Sequence, residues 1–116
     1  MGSYTRWVRL KFKDYYLYTM TFEQFKATLN HDQPPTGIPP VLTALWYAQK
    51  DNWNKAHDIA QDIPTREGSW VHAYLHRVEG DEGNAHYWYT QAGRQLPELT
   101  PEQEWEQLVT SLLVAG

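Results

Sequence analysis

Apolar side chains recur every three or four positions through most of the chain after residue 40, which is the spacing of one face of an α-helix. In the first such segment, one arc of a helical wheel contains Val41, Leu42, Leu45, Trp46 and Ala48. Four later segments have a similar arc: Trp53, Ala56, Ile59, Ala60 and Ile63; Trp70, Val71, Tyr74, Leu75 and Val78; Ala85, Trp88, Tyr89, Ala92 and Leu96; and Trp105, Leu108, Val109, Leu112 and Leu113. The pattern predicts five amphipathic helices, each with its arc in the core.

A repeat of 29 residues relates two parts of this helical region. Residues 42–63 align with residues 71–92, so that Ala56-His57 falls on Ala85-His86. Each unit reads as a helix, a short polar turn and a second helix. Asp51 or Asn52 in the first unit, and Asp81 in the second, are suitable N-caps for the second helix. The sequence therefore predicts two helical hairpins, at residues 40–64 and 67–96.

The segments around the hairpins carry clear start and stop signals. Thr21 with Gln24, and Thr100 with Gln103, are capping boxes, in which each side chain bonds the backbone of the other residue. The first begins a short helix, and the second begins a helix over residues 100–114 that would close the exposed end of a short solenoid. Residues 31–40 contain four prolines and form a rigid connector. We predict an all-α protein of five to six helices, with one domain over residues 20–116.

Residues 1–19 form a basic, aromatic extension that differs in composition from the rest of the chain. Residues 4–13 alternate in part between two faces, which is a strand signal, although an amphipathic helix is also compatible. Cations interleaved with aromatic residues are typical of proteins that bind single-stranded nucleic acid. The net charge of the whole chain is −4, however, which argues against a nucleic-acid partner.

Length and composition exclude several classes of protein. A chain of 116 residues forms one domain with a single core. The absence of Cys excludes disulfides, thiolate nucleophiles and Cys-rich zinc or iron–sulfur sites. No apolar run approaches the length of a membrane span, and no signal-peptide core follows the basic N-terminus. We therefore expect a soluble, cytoplasmic protein with no membrane contact.

The second repeat carries a family resemblance. The sequence GDEGNAHYWYTQA, followed by Pro97, resembles the second helix of tetratricopeptide and Sel1-like repeats, and the spacing of Ala85, Trp88, Tyr89 and Ala92 is similar to Sel1-like repeats in particular. The segment DNWNKAHDIAQ is a weaker match, and WVHAYLHRVEGDEGNAHYWYTQAGR resembles a group of small bacterial proteins of unknown function. The resemblance covers roughly residues 39–97, with a shorter period than that of tetratricopeptide repeats. It implies TPR/Sel1-like α-hairpin repeats and a role in protein binding.

Two histidines spaced by four, His72 and His76, share a face of a predicted helix with Glu79. Two imidazoles and a carboxylate are common ligands of zinc and similar ions. The segment lacks the HExxH form and a strong fourth ligand, and two exposed histidines at this spacing arise readily by chance. We therefore expect no metal or cofactor, and keep this face as the site of an alternative function.

The other histidines give no sign of catalysis. His57 and His86 occupy equivalent repeat positions at the edge of an apolar arc, where each is expected to keep one nitrogen in water. Catalysis would require a nucleophile or carboxylate partner, and neither Ser69 nor Ser111 lies in a recognisable triad setting. The GDEG turn lacks the Lys and the preceding strand of a phosphate loop. The sequence therefore predicts no catalytic residues and no enzymatic activity.

A partner surface is the remaining functional candidate. Tyr47 and Tyr87 project away from their arcs, and His72, His76 and Arg77 lie on or near the outer edge of the first helix of the second hairpin. First helices line the concave side of hairpin solenoids, where aromatic and Arg side chains bind partners. We expect a small non-catalytic interaction or scaffold module of unknown protein partner, with a homodimer favoured by its thin core. The alternative is a metal-binding accessory protein or enzyme that uses the histidine face.

Overall fold

The computed structural model describes the backbone of residues 9–12 and 15–18. For residues 20–113 it describes both the backbone and the side chains. In the N-terminal extension, strands β1 (Arg9–Phe12) and β2 (Tyr15–Tyr18) pair in antiparallel register. This pairing agrees with the strand interpretation of the alternating segment. The other residues of the extension lie outside the described part of the chain, and so do residues 114–116, of which only residue 114 belongs to the predicted last helix.

Every regular element within residues 20–113 is helical. The elements are α1 (Phe22–Ala27), which continues into a 3-10 turn (Thr28–Asn30), then α2 (Pro40–Gln49), α3 (Trp53–Ala60), α4 (Arg66–Val78), α5 (Glu82–Gln91) and α6 (Pro101–Leu113). This agrees with the predicted helical class and with the expected number of helices for this part of the chain. None of these helices has the length and apolar character needed to cross a bilayer.

Polar side chains fix the helix starts where the sequence places them. Both hydrogen bonds of the capping box between Thr21 and Gln24 are present, at 2.9 and 3.1 Å, and the box between Thr100 and Gln103 is formed in the same way. Three further helices begin with a side chain that accepts a hydrogen bond from a first-turn N–H: Asn52, Thr65 and Asp81. These bonds satisfy N–H groups that have no partner within the helix.

The repeat corresponds to two packed hairpins, α2 with α3 and α4 with α5. Asp51 and Gly80, which are equivalent in the repeat, both end the first helix of their hairpin with a positive φ, at 65° and 87°. Ala56 and Ala85, also equivalent, are both buried. The structure differs from the predicted hairpins at their ends, because Val78 and Leu96 are 48% and 57% exposed and do not belong to the core arcs.

Helix α6 packs against α1, α2 and α4. Its Trp105 is buried, and the indole N–H donates a hydrogen bond of 2.9 Å to the Leu45 carbonyl of α2. The ring of Phe22 in α1 meets the Trp105 ring edge-on, with the centroids 5.8 Å apart. Helix α6 contacts the first helix of both hairpins. It therefore covers these two helices and does more than close one end of a solenoid. The first helices therefore do not form the open concave surface that the sequence interpretation requires.

Candidate metal-binding site

Three imidazole rings meet between α3 and α4, and we call His57, His72 and His76 the histidine cluster. The ring centroids are 4.6, 5.1 and 4.9 Å apart for the three pairs. The Nε2 atoms of His57 and His72 lie 2.9 Å apart, so that one ring donates a hydrogen bond to the other. Each ring also presents one nitrogen within 4.8 Å of a nitrogen on both of the others. Three potential metal ligands thus converge on one point.

The expectation that His72 and His76 are exposed is wrong. Their residues are only 6% and 8% exposed, respectively. The reason is that α4 contacts α2, α3, α5 and α6, and all of its residues from 70 to 76 are buried. A helix packed on every side has no outer edge, so these two side chains point between helices and are not available to a protein partner.

Glu79 supports the cluster from outside. Its Oε2 atom lies 2.8 Å from Nδ1 of His76, one helical turn earlier in the chain. This contact leaves Nε2 as the nitrogen of His76 that can face a metal. The sequence predicts Glu79 as a direct ligand beside His72, but the residue groups with His76 and Asp81 and is separate from the set of three histidines. Carboxylates in this outer position orient metal-bound histidines and raise their basicity.

His57 is the ligand that the sequence interpretation missed. It is half-buried, whereas its repeat equivalent His86 is exposed. The difference follows from the order of the hairpins: α3 packs against α4 of the next hairpin, and no third hairpin follows α5 in the described chain. The signal was present in the sequence, because the second helix of one hairpin is adjacent to the first helix of the next.

Two tryptophans form the aromatic surroundings of the cluster. Trp53 stacks on His57 at 4.7 Å between centroids, and its indole N–H donates a 2.7 Å hydrogen bond to the Leu75 carbonyl. Trp88 stacks on His72 at 4.1 Å. Both tryptophans are half-buried, so the expectation that Trp88 lies fully in the core is only partly met. The stacking holds the imidazole rings of two different helices in fixed planes.

The surroundings keep His57 and His72 uncharged at neutral pH. Burial, followed by repulsion from His57 and His76, lowers the pKa of His72 to about 4. Burial and then repulsion from His76 also lower the pKa of His57 below its usual value. A histidine must be neutral in order to coordinate a metal. The cluster therefore holds at least two of its rings in the form that a metal requires.

The other predicted contact residues are separated by the fold. Arg77 donates a 2.8 Å hydrogen bond to Glu104 and another to the Leu99 carbonyl, so it is committed to an internal ion pair. Tyr47 is half-buried, with its ring edge-on to Trp46 at 5.2 Å. Tyr87 alone is clearly exposed, at 53%. Of the residues predicted to contact a partner, most are therefore partly or fully covered by the protein itself.

A second buried polar group, Glu104 of α6, was also missed. It is fully buried and accepts hydrogen bonds from Tyr89 at 2.7 and 2.8 Å, from Trp70 at 3.2 Å and from Arg77. These donors come from α4 and α5, so a single carboxylate links three helices. Because the donors satisfy its charge within the core, the geometry indicates a structural role for Glu104.

No protein-family model, curated protein or solved structure matches this chain. The resemblance to tetratricopeptide and Sel1-like repeats therefore stays a prediction.

Proposed function

We propose that the protein binds one divalent transition-metal ion, with zinc as the reference ion, through His57, His72 and His76. The observation that carries this proposal is the convergence of three imidazoles from two helices, with ring centroids no more than 5.1 Å apart. Imidazole is a preferred ligand of zinc, copper and nickel, and three histidines are a known zinc ligand set.

Coordination would require the nitrogens of the cluster to shift from their present spacing, in which each lies within 4.8 Å of the other two. Zn–N bonds of about 2.0–2.1 Å in tetrahedral geometry place neighbouring nitrogens about 3.3 Å apart. The Nε2 atoms of His57 and His72 are 2.9 Å apart, so they would separate slightly when the metal replaces their hydrogen bond. His57 is the least buried of the three residues, so it has the most room for this shift.

The outer contacts also support coordination. The bond from His76 to Glu79 fixes the ring orientation and leaves the opposite nitrogen free for a metal. Trp53 is held by the Leu75 carbonyl and packs on His57. The hydrogen bond between His57 and His72 also satisfies these two rings without a metal, and the measured metal affinity distinguishes the two explanations.

Isothermal titration calorimetry with zinc tests the proposal on protein that carries no His-tag and has been treated with chelator. We expect one equivalent to bind at micromolar concentration or tighter, with at least tenfold weaker binding by His57→Ala. His86→Ala is the matched control, because His86 is the exposed repeat equivalent of His57, and it should bind zinc like the unmodified protein. An absence of heat at micromolar zinc would refute the proposed function.

A second candidate function is the interaction module expected from the sequence. It is supported by three large apolar side chains on the surface, Val78, Tyr87 and Leu96, which are 48%, 53% and 57% exposed. Aromatic side chains such as Tyr are enriched in the buried centre of protein interfaces. Sedimentation equilibrium tests the simplest partner, a second copy of the chain. A monomer at all concentrations would remove the homodimer.

A further inference from the structure

The histidine cluster offers three ligands, whereas zinc and cobalt ions in such sites take at least four. Within residues 20–113, no fourth His, Asp or Glu places a ligand atom within 4.8 Å of all three. Glu79 is engaged with Nδ1 of His76 and belongs to the separate group with Asp81. The described carboxylates therefore support the cluster from outside instead of completing it.

The two tryptophans beside the cluster cannot supply the missing ligand. An indole N–H is a hydrogen-bond donor without a lone pair for a metal. Trp53 uses this group to bond the Leu75 carbonyl, and its ring stacks on His57. Trp88 presents the face of its ring to His72. The two rings shape the surroundings of the metal but leave its coordination incomplete.

The cluster also has a more open side. His72 and His76 are buried, but His57, Trp53 and Trp88 are each half-buried. These three side chains are therefore in partial contact with solvent, unlike His72 and His76. The exposed ring of Tyr87 adjoins the same side, edge-on to Trp88 at 5.0 Å between centroids. A small ligand would reach the proposed metal from this side.

We infer that the metal takes its fourth ligand from outside the protein: a water molecule that small monodentate anions displace. This inference rests on the proposed metal binding and goes one step further, because it assigns the site to the open type that is found in catalytic zinc centres. Structural zinc sites are closed by four protein ligands, whereas open sites retain an exchangeable position. The ligand class is a small lone-pair donor such as azide, thiocyanate or a carboxylate.

The test uses the full chain loaded with Co²⁺, whose visible absorption reports its ligands directly. Equilibrium dialysis first measures the stoichiometry of Co²⁺ binding. Sodium azide is then titrated into the loaded protein at constant ionic strength, with sodium perchlorate as the weakly coordinating control salt. We expect azide to shift the visible bands to a saturating end point, and perchlorate to leave them unchanged.

The possible outcomes distinguish the inferred exchangeable ligand from the proposed metal binding on which it rests. If the protein binds one Co²⁺ and the bands do not respond to azide, the site is closed and the inference is overturned, while metal binding stands. If dialysis shows no Co²⁺ binding, both fail. His86→Ala should respond to azide like the unmodified protein, because His86 is exposed on α5 and outside the cluster. Loss of the response in that variant would overturn the assignment to His57, His72 and His76.

Discussion

The side chain of Glu104 is fully buried, so the stability of its charge depends on the donors around it. Arg77 supplies a countercharge at 2.8 Å, and Tyr89 donates its hydroxyl to the carboxylate. Glu104→Gln keeps the shape but removes the charge and leaves Arg77 without its anion. We expect a loss of roughly 2–3 kcal/mol in the free energy of unfolding, measured by urea denaturation.

The control for this substitution lies two residues along the same helix. Glu106 is exposed, and Glu106→Gln should change the free energy of unfolding by less than about 0.5 kcal/mol. Equal effects of the two substitutions would contradict the structural role of Glu104, because they would show that its buried contacts contribute nothing.

The same network predicts a dependence of stability on alkaline pH. Burial, then the hydrogen bond and charge of Glu104, raise the pKa of Tyr89, and burial, then Glu104, raise the pKa of Tyr74. An unfolded Tyr has a pKa of about 10. A raised folded pKa gives stability that is complete below pH 10 and is lost as the pH rises above it, because only the unfolded chain then releases the proton.

An absorbance titration of tyrosinate formation checks this prediction. We expect a fraction of the eight tyrosines to ionise only together with loss of helical circular dichroism. Tyr89→Phe should make that late fraction smaller. Ionisation of all tyrosines near pH 10 with the helices intact would show that Tyr74 and Tyr89 are accessible to solvent.

For single helices, most features that depend only on nearby residues could be predicted from the sequence. The capping boxes of Thr21 and Thr100 and the spacing of apolar residues placed the helices, because these signals act within one or two turns. The burial of α4 on all sides, and with it the position of His72, depends on four neighbouring helices. The helical wheel of a single helix does not show which neighbouring helices will cover it. This is why the cluster was expected at the surface and without His57.

The start of α4 gives a sharp test of helix packing. A Cβ atom on Gly68 would overlap the carbonyl oxygen of Ile63 and lie 2.7 Å from the Cβ atom of Ile63. Gly68→Ala would therefore push the first turn of α4 away from the preceding loop. We expect a destabilisation of about 2 kcal/mol or more in urea denaturation.

Gly83 in α5 is the matched control, because it is also helical but has open space around its Cβ position. Gly83→Ala should stabilise the protein by about 0.5–1 kcal/mol, since Ala restricts the unfolded chain and favours a helix. A Gly68→Ala variant as stable as Gly83→Ala would contradict the close approach of α4 to Ile63.

For the whole molecule, the histidine cluster joins the two hairpins. His57 belongs to α3 of the first hairpin, and His72 and His76 belong to α4 of the second. Residues that are far apart in an unfolded chain cannot bind one metal ion with comparable affinity. The proposed metal would therefore stabilise the packing of one hairpin on the other, together with the fold as a whole.

This coupling predicts that metal raises the unfolding temperature. A ligand that binds only the folded state adds about 2.7 kcal/mol at a free concentration 100 times its dissociation constant. For a domain of about 100 residues, that corresponds to a rise of about 10 °C or more in differential scanning calorimetry. Calcium should give no such rise, because it prefers oxygen ligands. His57→Gln should lose most of the zinc effect while His86→Gln retains it, and equal unfolding temperatures in zinc and in chelator would show that the hairpins are held by packing alone.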